Sequence, residues 1–214
     1  EIPEARLVEY VRLLRDAIEE NRATFFEATT CVAFLYFADE GVDIAVIETG
    51  LGGRLDATTV ITPLVAGVTN IGIDHVEYLG DTIELIAAEK AGIFKSGVAA
   101  VIGEPEPAVA ALLADLARRA GAHPVGMVYA DGGPTNIRVS AGGTLFAYDG
   151  REWQSPLVGA HQAANGAMTL ATLRTLPERF RPTNDVAAAG LRQVVLPGRF
   201  QRSGRYLFDV AHNP

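Results

Sequence analysis

Asp43-Ile-Ala-Val-Ile-Glu48-Thr-Gly-Leu-Gly-Gly-Arg54-Leu-Asp-Ala-Thr58 is followed, after a short spacer, by Pro63-Leu-Val-Ala-Gly-Val-Thr69-Asn-Ile-Gly-Ile-Asp74-His75. Two continuous apolar runs each lead to a polar group. The first ends in an acid ahead of a glycine-rich loop, and the second is followed by a histidine. Runs that are apolar at every position fit strands covered on both faces, as in the centre of a parallel sheet. Parallel strands need helical crossovers, and the chain supplies them. A helix is expected from about Thr82 to Phe94, a strand near Val98 to Ile102, and a helix opening at Pro107 and running to Ala120. The expected fold class is therefore α/β, a mostly parallel sheet flanked by helices.

Towards the N-terminus, Leu7, Val11, Leu14 and Ile18 lie on one helical stripe, which predicts an amphipathic helix over residues 4–20. Thr24-Phe-Phe-Glu27 has the spacing of a capping box. The helix it opens runs through Ala38, is apolar on almost every side and is expected to be buried, with Gly41 as its stop. Beyond Gly121 the pattern changes. Between Val125 and Pro156, Gly, Asp and Thr break up short alternating stretches such as Ile137-Arg-Val and Thr144-Leu-Phe-Ala-Tyr148. These predict a small antiparallel β extension at the edge of the main sheet. Helices are expected again at about 160–176 and 183–193. Tyr206-Leu-Phe-Asp209-Val opens a further strand, and the chain stops at Ala211-His212-Asn213-Pro214, which reads as a cut after a strand.

At 214 residues and 49% hydrophobic composition the chain can bury one sizeable core. A formal charge of -8 argues against a general nucleic-acid binder, which needs a basic face to displace counterions. The single cysteine, Cys31, sits in an apolar run and is expected as a buried core thiol; one cysteine allows no internal disulfide, as suits a reducing cytoplasm. No apolar run reaches membrane-spanning length, and the charged first twenty residues do not read as a signal peptide.

Ligands of open parallel sheets collect at the carboxyl ends of strands. Glu48 and its glycine loop lie at one such end, and glycines there let backbone N–H groups approach an anion closely. Most glycine-rich loops are merely tight turns, so the loop alone is weak. His75 has the same strand-end position one strand along, and the two could share an ion. An isolated histidine is more often a surface or capping residue, and a carboxylate with an imidazole by itself suggests a metal softer than magnesium. Lys90, in Ala87-Ala-Glu-Lys-Ala-Gly-Ile-Phe, has apolar neighbours that suggest partial burial. Desolvation would favour its neutral amine, which can capture carbon dioxide.

Taken together, Glu48-Thr-Gly-Leu-Gly-Gly-Arg54-Leu-Asp-Ala-Thr58, the Thr69-Asn…Asp74-His75 segment and Glu89-Lys90-Ala-Gly-Ile-Phe resemble folylpolyglutamate and dihydrofolate synthases, the folate branch of the Mur ligase superfamily. The resemblance implies an ATP- and Mg2+-dependent ligase that adds L-glutamate to dihydropteroate or folates through an acyl phosphate. It implies Glu48 and His75 as magnesium ligands, Gly52, Gly53 and Arg54 beside the pterin, and Lys90 as a catalytic lysine carrying a carbamyl group. Further along, His161-Gln-Ala-Ala-Asn165 makes Asn165 the adenine contact, and the ordinary reading of the cluster, an N-terminal helix cap, can hold at the same time. Pro197-Gly-Arg199 makes Arg199 the phosphate contact, and Asp209-Val-Ala-His212-Asn-Pro214 makes Asp209 and His212 part of the closure over ATP. The family also implies a cytoplasmic monomer whose partners are small molecules, with neither nucleic acid nor membrane. Thr49, Thr59 and Gly166 depart from the family wording.

No Gly-x-x-Gly-Lys-[Ser/Thr] loop occurs in the chain. The resemblance therefore implies residues 1–200 as a central ATPase domain without its first strand and phosphate loop, and 201–214 as a linker and the first strand of a C-terminal domain. Such a piece is expected to be inactive by itself. Two other readings stay open: a Mur-type ligase acting on a peptidoglycan precursor, and a non-catalytic α/β binding module.

Overall fold

The computed structural model describes residues 1–210. The chain divides into two compact units, Glu1–Thr62 and the part from Pro63 onward.

The first unit is built on two helices, α1 (Glu4–Asn21) and α2 (Phe25–Asp39). Arg22, with φ 52°, turns the chain in the left-handed region after α1. Thr24 then caps α2: its hydroxyl accepts from the Glu27 N–H at 3.2 Å, and the Glu27 carboxylate accepts the Thr24 N–H at 2.7 Å. Such a cap contributes about 1 kcal/mol. Asp39 ties the helices together, accepting from the Tyr10 hydroxyl at 2.6 Å and from Arg6 at 2.9 Å. A short 3-10 turn follows at Ala57–Val60.

Three expectations for this unit need correction. The second helix is not enclosed: only Thr30 and Val32 are buried on it, and Phe25 is 86% exposed. Cys31 is likewise exposed and is no core thiol. Asp43–Glu48 forms no strand, and Val46 is 92% exposed. An apolar run suits burial between two layers, but a strand exists only through a ladder partner. Among the described residues none of the three sheets includes this run.

The second unit contains the parallel sheet. Its elements begin with β1 (Val65–Val68), α3 (Val76–Leu79), α4 (Ile83–Ala91), β2 (Ala99–Ile102), α5 (Pro107–Arg119) and β3 (Val125–Met127). The sheet order is β1-β2-β3, all parallel, with Val65 opposite Ala99 and Ala100 opposite Val125. Val125, expected to open the antiparallel extension, instead joins this sheet. Helix α5 is a crossover, and a strand delivered by a crossover runs parallel to its predecessor.

Period-two alternation splits the sheet between two cores. Ala66, Val68, Ala100 and Ile102 pack with Ala87, Phe94, Leu113 and Ala117 of the α4–α5 layer. Val101 faces the other way, into a cluster with Phe146, Trp153, Ala163 and Ala167. Ile102 and Leu113 are fully buried, each worth about 1.5–3 kcal/mol of apolar transfer.

The antiparallel extension is β4 (Thr135–Ser140), β5 (Gly143–Tyr148) and β6 (Arg151–Ser155), paired in that order. It leads into α6 (His161–Thr175) and α7 (Asn184–Arg192), then the hairpin β7 (Gln201–Ser203) and β8 (Tyr206–Phe208). The strand expected from Tyr206 is thus one arm of a hairpin. His212 lies outside the described residues.

Candidate functional site

The glycine loop after Glu48 is organised around one carboxylate. Asp56 accepts the Gly50 and Leu51 N–H groups on Oδ2, at 2.8 and 3.0 Å. Its Oδ1 accepts the Thr58 N–H at 2.9 Å and the Thr58 hydroxyl at 2.6 Å. Burial works against the charged form here. The Thr58 hydroxyl and the N–H groups of Leu51, Thr58 and Gly50 outweigh it, holding the carboxyl below the usual carboxylate range. Asp56 had no expected role, although an Asp two residues ahead of a Thr is the local signal of such a turn.

Gly52, with φ +64°, suits glycine by its backbone, and a Cβ at Gly50 would lie 2.5 Å from the tip of the Phe26 ring, which would have to shift. Thr49 and Thr59 have structural reasons of their own. The Thr49 hydroxyl donates to the Gly52 carbonyl at 3.3 Å, and that of Thr59 to the Asp56 carbonyl at 2.8 Å. Gly52 and Gly53 are buried, while Glu48 and Arg54 are exposed.

In the second unit, His75 sits at the N-terminal cap of α3 with φ 50°, yet its side chain makes no capping hydrogen bond. Asp74 accepts its N–H at 2.8 Å, and the ring nitrogen Nε2 lies 3.7 Å from the same carboxylate. The ring is exposed. Lys90 is half-buried in the last turn of α4, where a cation complements the helix dipole.

The start of α6 carries a side-chain chain, not a cap. Asn165 Nδ2 donates to Gln162 Oε1 at 3.1 Å, and Gln162 Nε2 lies 2.9 Å from His161 Nε2. No side chain caps this helix, so the expected capping role of the cluster is not present. Asn165 is exposed, whereas Gln162 is buried. The preceding loop is latched by the buried Thr144 hydroxyl, which donates to the Leu157 and Gly159 carbonyls at 2.8 and 3.0 Å. Gly166 is explained too: a Cβ there would meet the Phe146 ring at 2.6 Å.

The hairpin brings Arg199 and Asp209 to one turn. Asp209 Oδ2 accepts the Phe200 N–H at 2.9 Å, and the Val210 N–H donates to the Gly198 carbonyl at 2.8 Å. Gly198 and Phe200, with φ 74° and 50°, flank an exposed Arg199. The turn presents a planar guanidinium suited to phosphate oxygens.

Glu48 belongs to the first unit; His75, Lys90, Asn165, Arg199 and Asp209 belong to the second. Among the described residues no three His, Cys, Asp or Glu side chains gather as a metal cluster. Glu48 offers an exposed carboxylate of the kind magnesium takes, whereas the His75 imidazole by itself suits a softer cation. Magnesium takes few protein ligands and completes its shell with water and phosphate oxygens. No helix among the described residues is long and apolar enough to cross a membrane.

Residues 5–173 match the Mur ligase middle domain family. Over its whole length the chain is 36% identical to the dihydrofolate synthase/folylpolyglutamate synthase of Escherichia coli, of which it covers 50%. It is 34% identical to the folylpolyglutamate synthase of Lacticaseibacillus casei, covering 54% of it. Among solved structures, the apo form of L. casei FPGS superposes with a TM-score of 0.87 at 31% identity, over 99% of this chain and 56% of that one. An FPGS–AMPPCP–folate complex superposes with a TM-score of 0.88 at 32% identity, over 100% of this chain and 56% of that one. The chain thus spans about half the length of the curated relatives it matches. With 36% identity and a domain match over most of its length, the chain belongs to the Mur ligase middle domain family.

Proposed function

We propose that this chain is the central part of an ATP- and Mg2+-dependent ligase that joins L-glutamate to dihydropteroate, to folates, or to both. The observation that carries the reading is the ordered glycine loop around Asp56, in a chain whose relatives are named dihydrofolate and folylpolyglutamate synthases. A relative of the same fold is described in complex with AMPPCP and folate. Residues 1–200 would form the nucleotide-handling domain, and 201–214 would lead into the next one. The protein would work as a cytoplasmic monomer.

Glu48 and His75 would hold magnesium, which when bound neutralises phosphate charge. A carbamyl group on Lys90 would add a carboxylate to support that site. Arg199 would pair with phosphate oxygens through its planar fork, with the turn that carries it braced by Asp209. Asn165, oriented by Gln162, would contact adenine, and Gly52, Gly53 and Arg54 would border the pterin. His212 would help close the site. The contribution of these residues is positioning and charge neutralisation.

ADP release by the complete protein tests this, with magnesium, ATP and glutamate and with dihydropteroate or a reduced folate in separate reactions. Release that depends on a pterin is the expected result, and the preferred pterin names the activity. Pterin-independent release, or none, refutes the reading.

A further inference from the structure

Glu104 is 5% exposed at the carboxyl end of β2, and its two oxygens are both engaged. Oε2 accepts the Ile71 N–H at 2.6 Å, and Oε1 accepts the Glu106 N–H at 2.9 Å. A buried carboxylate is costly unless hydrogen-bonded, and two backbone donors on an ionised acceptor make strong, short bonds. Its position relative to the sheet is informative. The β1–β2 ladder ends at Val68 and Ile102, and the Gly103 N–H still reaches the Val68 carbonyl at 2.8 Å. The Glu104 bond lies beyond that ladder, on a residue between β1 and His75. It therefore constrains the loop and adds little to the sheet.

Gly103 prepares the contact. A Cβ there would stand 2.7 Å from the Thr69 carbonyl oxygen and 3.3 Å from the Thr69 Cα, so only glycine lets the loop lie this close to the end of β2. The loop then delivers His75 in a left-handed conformation with its ring exposed. Residues 69–75 carry no regular structure of their own. The ties made by residues 103 and 104 hold the start of this loop against the end of β2.

We propose that Glu104 is a positioning residue that sets the His75 loop and thereby tunes metal binding. The proposal rests on the reading of His75 as a magnesium ligand. Partners hydrogen-bonded to a metal ligand typically contribute about 10–100-fold to metal affinity, and Glu104, acting through the Ile71 backbone, belongs at the lower end.

The test uses the complete protein as wild type, Glu104→Gln, Glu104→Asp and His75→Ala. Mn2+ binding with nucleotide present is followed by electron paramagnetic resonance, and backbone hydrogen exchange is followed at residues 69–75. Glu104→Gln keeps the shape but sets an amide NH2 against one of the two N–H donors. It is expected to weaken Mn2+ about tenfold and to speed exchange at Ile71, with β1 and β2 unchanged. The magnesium concentration for half-activity rises, and kcat at saturating metal stays near wild type. Glu104→Asp keeps the charge but is too short to bridge both donors, and is expected to weaken Mn2+ as well. It carries the same readouts if the Gln variant does not fold. Wild-type Mn2+ affinity in both variants, with His75→Ala weakened, overturns the proposal. Should His75→Ala bind Mn2+ normally, the metal reading fails instead, and exchange at Ile71 alone decides whether Glu104 sets the loop: wild-type exchange there overturns it.

Discussion

Replacing Asp56 by Asn isolates what the carboxylate does for the glycine loop. The native side chain accepts four hydrogen bonds, two on each oxygen, from Gly50, Leu51 and twice from Thr58. An asparagine keeps one oxygen and can satisfy only one of those pairs. Its NH2 costs least facing Thr58, whose hydroxyl can turn to accept from it, so the Thr58 N–H is the donor that loses its acceptor. Hydrogen bonds to a charged group are worth about 1.5–3 kcal/mol each. Partial rehydration of the surface loop favours the lower end, about 1.5 kcal/mol. At 1.4 kcal/mol per tenfold, the Thr58 amide should exchange roughly tenfold faster in the variant. Hydrogen exchange on the complete protein measures this without requiring two-state unfolding. Exchange within about threefold of wild type, well short of the energy of one such bond, refutes the reasoning.

The pH dependence gives an independent check on the same group. Asp56 is held below the usual carboxylate range in the folded chain. A carboxyl depressed by folding stabilises the fold fully above its unfolded value, about 3.9. That stabilisation is lost as pH falls through the lower folded value. The variant-to-wild-type exchange ratio should therefore be flat near neutrality and shrink in acid below pH about 4. A ratio that stays constant into acid would show that the carboxylate charge contributes nothing.

Other outcomes follow from the site and from the second core. Glu48→Gln and His75→Ala in the complete protein should each abolish turnover while leaving the circular dichroism spectrum unchanged, because both side chains are exposed; wild-type rates in both remove the metal site. Gly166→Ala should lower stability by about 1–3 kcal/mol through overpacking, since its Cβ would meet the fully buried Phe146 ring at 2.6 Å. Denaturant unfolding followed by Trp153, which lies in the same core cluster, reads this, and an unchanged midpoint would show that the ring gives way.

What could be read from the residues was whatever depends on local chemistry or on an unbroken period. The Thr24–Glu27 cap, the α4, α5 and α6 helices and the parallel runs at β1 and β2 needed no distant partner to be recognised. The errors share a physical cause. Asp43–Glu48, Cys31 and the outer faces of α2 are apolar, and apolar composition says that a segment suits burial without saying what covers it. Val125–Met127 was misplaced for a related reason: three residues carry too little period to reveal their pairing, and only the crossover before them sets their direction.

The candidate site divides along the same line. Glu48 and His75 were singled out because each follows an apolar run, and Arg199 because Pro197-Gly-Arg199 resembles a family motif. The groups that hold those loops were not. Asp56 reaches back six residues to Gly50, and Glu104 reaches back 33 to Ile71, separations that match no helical or strand period. A carboxylate that grips backbone N–H groups looks, in sequence, like any acid beside a turn. Only burial together with two satisfied oxygens separates it from a solvated side chain. Candidates for ligand contact can therefore be named from motif and pattern, whereas the residues that fix the loops become visible only through the backbone donors they satisfy.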